Sequence, residues 1–514
     1  MTAKDVTPVF ADLNDAGTLK DGVLKIIKRK DEPLPHSAIL EELLQQFKPL
    51  DFQALAFPHV IKLREELAEL NPTDERAAQI RKEVSKLKIT TKHYLILSIE
   101  NVRIVAEHNR WGLCKNHDFI YLYNGRYWAE LDKETFQKFL GEAAEKMGVA
   151  KFSARYFQFR EQLYKQFLAT AYLPTPSQDA ETVLINLENG TFQIDSTGTK
   201  LRSFNAKDFL TYQLPFKYNP KSTAPTFQKY LDRVLPDKDK QRVLAEFLGF
   251  IFIKNGSKRL KEEKALILYG TGANGKSVFF EVVNALFGSE SVSHWTLSSL
   301  TNDNGYFRAK MANKLVNYAS EINGKLQSDI FKQLVSGEPV EARLPYGEPF
   351  TLKQYAKLIF NCNELPRDVE QTNAYFRRFL IIPFDVTIPD AEQDKTLHTK
   401  IIDNELSGVF NWVLQGLDRL LEQQRFTKCE AVETAVERYK IESDSVKMFL
   451  EESGYKPSPD RYVVFKTLFY EYRNYCIDEG CKAVKRLNFK KRLLSAKVHI
   501  ERKNVGDVAY LSNA

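Results

Sequence analysis

Gly270, Gly275, Lys276 and Ser277 stand at the spacing GxxxxGK[ST] within "GTGANGKSVFFEVVNALFG". The apolar run "ALILY" precedes them and the periodic stretch "SVFFEVVNALF" follows, which predicts a strand, a glycine-rich turn and a helix in that order. A turn of this kind cradles phosphate. Glycines admit close approach of backbone N–H groups, a helix start adds potential favourable to anions, and the lysine ammonium reaches β and γ oxygens. Gly270, Thr271, Gly272, Ala273, Asn274, Gly275, Lys276, Ser277 and Val278 are therefore the expected nucleotide-binding residues, with ATP and Mg²⁺ as cofactors and Ser277 as a metal ligand.

Hydrolysis requires a carboxylate that orients water, and "KLVNYASEING" offers Glu321 just after an apolar run. A second apolar run, "KLIFNCN", delivers Asn363 where a γ-phosphate sensor would stand, and "YFRRFLIIPF" presents Arg377 and Arg378 before another strand. Between them, "FKQLVSGEPVEARLPYGEPFTLK" reads as a helix carrying Lys332, then a β-hairpin turning at Pro345-Tyr346-Gly347-Glu348 and flanked by Arg343 and Lys353.

Positioning these residues requires an α/β core, and strand and helix patterns alternate from 265 to about 386. With 514 residues, two to four domains are expected. Residues 1–117 read as mostly helical, with a helical hairpin turning at Asn71-Pro72. Residues 118–255 read as an α+β domain with hairpin signals at Asn124-Gly125 and Asn189-Gly190. The basic connector "KNGSKRLKEEK" then opens an ATPase core over 256–390, and a helical extension fills 391–454. Residues 455–514 read as two helices and a β end, the order of a winged helix. Their tail gathers Lys482, Lys485, Arg486, Lys490, Lys491, Arg492, Lys497, Arg502 and Lys503 against Glu501 alone, a basic surface suited to duplex or origin DNA.

Composition sets outer bounds. Apolar residues make up 43% and charged residues 27%, which suits packed domains, and the net charge of +7 is compatible with a polyanionic partner. Five cysteines lack paired CxxC spacing, so neither a disulfide framework nor a zinc ribbon is expected. No signal peptide and no apolar run of about 18 residues is evident, so a cytoplasmic location without membrane insertion is the expectation.

Taken in order, the glycine loop, "YASEI", "KQLVSGEPVEAR", "FNCNELP" and "RRFLIIPF" resemble superfamily 3 helicases, in particular the primase-helicases of phages, plasmids and poxviruses. Flanking stretches such as "YQLPFKYNP" and "LSGVFNWVLQGLDRLL" look like the neighbouring regions of those proteins, extending the likeness over roughly residues 118–505. The resemblance implies an AAA+-like P-loop ATPase, typically hexameric. It makes Lys276 and Ser277 the phosphate and Mg²⁺ ligands, Glu321 the catalytic and metal-binding glutamate, Asn363 the sensor, and Arg378 rather than Arg377 the finger reaching a neighbouring subunit.

It also implies that the hairpin lines a central channel for single-stranded DNA, with Lys332, Arg343 and Lys353 as backbone contacts; from the basic C-terminal tail itself, Lys490, Lys491 and Arg492 are the expected duplex contacts. The sequence departs from the family pattern at Ser320, where many relatives carry an added acid, and at "SGEP" in place of Gly-Gly-Asp. Residues 1–250 show no paired Asp-x-Asp or zinc-ribbon primase signature. The expectation is an ATP-dependent replicative DNA helicase of a phage or mobile element, acting on single-stranded and forked DNA beside a separate primase or loader. An ATP-assembled origin-binding initiator and a packaging or defence ATPase are the alternatives.

Overall fold

The structure is a computed structural model that describes residues 35–109, 111–116, 119–170, 181–320, 322, 327–345, 347–366, 369–481 and 483–513. The chain divides into two compact units. One takes the described residues up to 178 together with Leu201–Gln213, and the other takes those from 179 to 200 and from Leu214 onward.

In the first unit, helices His36–Gln46 and Thr91–His108 share one apolar core with the antiparallel strands Leu113–Asn116, Phe119–Tyr123 and Trp128–Leu131 and the helix Lys133–Lys146. Leu43, Ile99, Val102, Leu122, Phe136 and Phe139 are all buried there. The boundary expected at 117 is therefore not a boundary between cores. The helical hairpin is present, as His59–Glu69 and Glu75–Lys86 flank the Asn71-Pro72 turn. At the expected β-turn, Tyr123 pairs with Trp128, the Asn124 Oδ1 accepts from the N–H groups of Arg126 and Tyr127, and Gly125 takes φ +93°. That angle is left-handed, which is why glycine stands there.

The second unit is built on a five-stranded parallel sheet. Its strands are β1 (Ala265–Tyr269), β2 (Val292–Ser293), β3 (Val316–Ala319), β6 (Lys357–Cys362) and β7 (Phe379–Pro383), and between β3 and β6 lies the antiparallel hairpin β4 (Val340–Ala342) and β5 (Phe350–Leu352). The sheet order is β7-β1-β6-β3-β2. Ala265, Leu266, Ile267 and Leu268 are all buried, as expected of a parallel strand covered on both faces. Strand β1 lies between β6 and β7, the last two strands in sequence, so the chain reverses its direction of travel beside β1. A crevice at the carboxyl ends of strands at such a point is the usual ligand site of open α/β sheets.

Helices α1 (Pro225–Val234), α2 (Lys238–Phe250), α3 (Lys276–Phe287), α4 (Ser328–Ser336), α5 (Leu397–Gln423) and α6 (Glu430–Glu442) belong to the same unit. Helix α2 lies before the sheet in sequence and α5 after it, yet they pack against each other. The fully buried Glu246 carboxylate accepts from Arg419 Nε at 2.6 Å and from Thr427 N at 2.8 Å. The basic connector before β1 thus joins parts of one body rather than two domains. A Cβ at Gly416 would stand 2.4 Å from the Ala245 carbonyl carbon. Gly416→Ala is expected to cost about 1–3 kcal/mol through overpacking, read as a lower urea midpoint; an unchanged midpoint would show that the helices separate freely.

The hairpin expected at Asn189-Gly190 is present one step displaced. Leu187 pairs with Gly190, so Glu188 and Asn189 form the two-residue turn and Gly190 opens the second strand.

Near the C-terminus, helix Ser445–Glu452, strand Val463–Val464, helices Phe465–Asp478 and Arg486–Ser495, and the hairpin Ile500–Lys503 with Gly506–Ala509 surround one core of Val446, Phe449, Leu468, Tyr472, Phe489 and Leu493. The short strand Val463–Val464 pairs with Gly506–Ala509. The boundary expected at 454 falls inside this body, because Val446, Phe449 and Leu450 bury their apolar side chains in its core. The Pro- and Gly-rich stretch after them is a local turn, and its strand Tyr455–Pro457 pairs with Leu511–Asn513.

Candidate functional site

The turn after β1 opens directly into α3, whose helical residues begin at Lys276. Gly272 and Gly275 take φ +115° and +87°, and Ala273 takes +47°. A Cβ at Gly270 would lie 2.2 Å from Asn274 Nδ2, and one at Gly275 would lie 2.7 Å from Val234 Cγ1. The glycines are needed both for backbone angle and for close approach.

Lys276 is only 7% exposed. Its ammonium donates to Gly270 O at 2.6 Å and Asn274 Oδ1 at 3.1 Å, and burial pushes its pKa below the usual lysine range. Asn274 in turn donates to Phe384 O at 3.2 Å, beyond the end of β7. Tyr230 on α1 donates its hydroxyl to Gly275 O at 2.8 Å, and burial raises that phenol's pKa. Ile388 N donates to Ala273 O at 2.8 Å, and Arg233 pairs with Glu392 at 2.8 Å. The loop is therefore held from both sides.

It opens on a cavity of about 1330 Å³. Lys276, Ser277, Ser320, Asn361 and Asn363 line it, as do Lys229 and His398. The first N–H groups of α3 have no partner within the helix. The region brings together features that suit an anion: a polarised helix start, a lysine whose present partners are neutral oxygens, and an exposed serine beside them.

Ser320 reaches the cavity from the end of β3. Glu321, expected to be the catalytic and metal-binding carboxylate, lies outside the described residues. Among the described residues, no group of three or more His, Cys, Asp or Glu is placed to hold a metal. Asn363 lines the cavity as expected. Asn361 does so too, fixed by the Tyr318 hydroxyl, which donates to its Oδ1 at 2.9 Å. Neither Asn361 nor Tyr230 stood out in the sequence, because each gains its place through a partner more than forty positions away.

The arginine pair separates sharply. Arg378, expected to be the finger, is buried, with Nη2 at 3.0 Å from Glu263 and 2.9 Å from Ser336 Oγ. Arg377 keeps 63% of its side chain exposed while touching Glu263 at 3.1 Å. Arg378 is thus the sealed member of the pair and Arg377 the exposed one.

The expected DNA cations also differ in availability. Lys332 is held by Asp329 at 2.8 Å and Glu370 at 3.0 Å, and these hydrogen-bonded carboxylates raise its pKa. Arg343 stacks over Tyr306 at 5.2 Å, whereas Lys353 at the end of β5 is exposed. The hairpin turn closes through Gly347 N on Leu344 O at 2.9 Å, and Tyr346 lies outside the described residues. In the C-terminal body, Lys490 pairs with Asp507 at 2.8 Å and Arg492 with buried Asp444 at 3.0 Å, while Lys491 is exposed. Lys485, Arg486, Lys497 and Arg502 are exposed around it, and Lys482 lies outside the described residues.

Residues 101–236 match the family described as D5 N terminal like, and residues 268–378 match a family of unknown function, DUF5906. A putative helicase of Acanthamoeba polyphaga mimivirus is 25% identical over 239 residues, covering 44% of this chain and 24% of that protein. A putative helicase of Invertebrate iridescent virus 3 is 21% identical over 345 residues, covering 58% of this chain and 35% of that protein. The chain spans well under half the length of either relative.

An apo structure of the NrS-1 C terminal region aligns over 81% of this chain and 99% of that one, at 14% identity and a TM-score of 0.45. Over parts of its length, then, the chain is similar to the D5 N terminal like family and to putative helicases of two viruses. Among the described residues, no helix is long and apolar enough to cross a membrane.

Proposed function

We propose that the chain is an ATP-dependent DNA helicase of superfamily 3 with an AAA+-like P-loop core, serving replication of a phage, plasmid or other mobile element. The observation that carries this reading is Lys276, held on Gly270 O and Asn274 Oδ1 at the wall of a cavity that also takes in Ser277, Ser320 and Asn363. In the bound state its ammonium exchanges those neutral oxygens for phosphate oxygens, gaining charge-assisted hydrogen bonds.

Glu321 orients the attacking water. Bound Mg²⁺ supplies positive charge to the β- and γ-phosphoryl oxygens, with Ser277 and Glu321 as its protein ligands. Asn363, with Asn361 fixed beneath the Tyr318 hydroxyl, monitors the γ-phosphate. Arg377 completes the site of an adjoining copy, which requires a ring, taken to be a homohexamer. Hairpins β4–β5 grip single-stranded DNA by its backbone, with exposed Lys353 the most available of the three cations. A separate primase or loader completes the replicative set, and the chain works in solution in the host cytoplasm.

The C-terminal body reads as a winged helix with Arg486–Ser495 as the helix offered to duplex DNA. Lys491→Gln should weaken duplex binding and reduce the slope of log affinity against log salt by about 0.9; an unchanged slope would remove Lys491 from that interface. The function as a whole is tested by ATP- and Mg²⁺-dependent strand separation of forked DNA. Ring assembly with ATP but without strand separation would favour an origin-binding initiator.

A further inference from the structure

The most unusual exposed surface of the first unit lies where helix Lys151–Arg155 gives way to helix Phe157–Thr170. Phe152 is 89% exposed, Phe157 66% and Tyr156 50%, three rings within six consecutive residues. Large apolar groups are placed in water at a cost, and here no aliphatic side chain accompanies them: Lys151, Ser153, Arg155 and Gln158 are the other exposed residues of the stretch.

The backbone that carries these rings is fixed. Ala154 and Phe159 are buried anchors, Ala154 N donates to Ala150 O at 2.9 Å, and Arg160 N donates to Tyr156 O at 3.1 Å. Helix Lys133–Lys146 packs so closely behind the turn that a Cβ at Gly141 would lie 2.8 Å from Ala154 O. Arg155 is locked by a two-pronged contact with Glu145 at 2.8 and 3.2 Å. The rings are thus presented from a rigid support, and Tyr156 and Phe157 stand edge to face with centroids 5.0 Å apart.

The charge around them is one-sided. From Glu145 to Arg160 the sequence carries Lys146, Lys151, Arg155 and Arg160 against Glu145 alone. The nearest further acids on the packed helices are engaged, Glu161 with Lys165 at 3.0 Å and Glu142 with Lys138 at 3.9 Å. Aromatic faces beside the exposed Lys151, without aliphatic surroundings, suit a polyanion whose bases are unstacked. A protein partner would be better served by mixed aliphatic and aromatic surface with a polar rim.

We propose that Phe152, Tyr156 and Phe157, with Lys151, form a binding site for single-stranded DNA, on which bases stack while the cation holds the backbone. The proposal rests on reading the chain as one that acts on single-stranded DNA, but assigns that contact to a unit separate from the ATPase core. It is tested on the full chain with an end-labelled oligodeoxythymidylate. Two readouts are used: affinity by fluorescence anisotropy across a salt series, and photocrosslinking of a 5-iodouracil-substituted oligonucleotide with mass spectrometric mapping.

The variant Phe152→Ala/Tyr156→Ala/Phe157→Ala changes only exposed side chains. It is expected to bind at least about 100-fold more weakly, since each base–aromatic stack contributes about fivefold or more. Lys151→Gln should lower the salt slope by about 0.7, and the wild-type crosslinks should fall on residues 151–160. The proposal stands only if both the affinity loss and those crosslinks are found. Unchanged affinity, crosslinks confined elsewhere, or a triple variant altered only in its sedimentation would overturn it, the last pointing to a second copy of the chain as the occupant. Absence of single-stranded DNA binding by the wild type would overturn the helicase reading as well.

Discussion

Arg377→Ala is expected to lower DNA-stimulated ATP hydrolysis by about 10³-fold, the lower end of what an arginine acting across an interface contributes to phosphoryl transfer. Its folding stability should change by less than about 1 kcal/mol, because its side chain is largely exposed and, among the described residues, its ion pair is with Glu263. Arg378→Ala should behave in the opposite sense. Removing that buried guanidinium breaks its contacts with Glu263 and Ser336 and is expected to cost about 3 kcal/mol, with activity lost only as far as folded protein is lost. Urea denaturation and hydrolysis rates on the two variants separate the roles. Equal loss of stability in both, or hydrolysis unaffected by Arg377→Ala, would remove Arg377 from the mechanism.

A mixing experiment adds the geometry. Subunits carrying Arg377→Ala retain an intact Lys276 site, and subunits carrying Lys276→Ala retain an intact finger. If the finger works across an interface, combining the two inactive proteins should recover a fraction of activity. No recovery would place the arginine within its own subunit's site, or deny the ring.

Lys276→Ala carries the second large effect. Its ammonium is the cation built into the loop, and loss of one such pre-aimed charge typically costs about 10²- to 10³-fold in turnover. The structure adds a side effect on the fold, because alanine leaves Gly270 O and Asn274 Oδ1 without their donor in a buried place. A modest destabilisation of about 1–3 kcal/mol should accompany the kinetic loss, so turnover must be compared at equal folded protein. Lys276→Arg is a useful partner. A planar guanidinium presents its donors in a fixed fork rather than as a point charge, so it should restore charge without restoring turnover.

The parts of the site that the sequence displays are those made by neighbours in the chain. The loop from Gly270 to Ser277 is legible because strand, glycines, lysine and helix follow one another, and the same holds for the hairpins near Asn124 and Asn189. The difference between Arg377 and Arg378 is not legible there, because Arg378 is buried against Glu263, 115 positions earlier, and Ser336, while Arg377 stays exposed. The connector "KNGSKRLKEEK" has the composition of a linker, yet the contact of Glu246 with Arg419 joins the helices before and after the sheet.

Charge counts likewise overstate the free cations. Lys332, Lys490 and Arg492 read as a basic surface in the sequence, but each has a carboxylate within about 3 Å. The exposed rings of Phe152, Tyr156 and Phe157 are invisible for the converse reason. In the string they look like the core of a helix, and only the packing of Ala154 and Phe159 inward turns them out.

Strand displacement on a forked DNA substrate, with ATP and Mg²⁺, is the most direct test of the central claim, run with wild type and Lys276→Ala side by side. ATP-dependent unwinding by the wild type and none by the variant is the predicted result. Hydrolysis and ring formation by a wild type that separates no strands would contradict it.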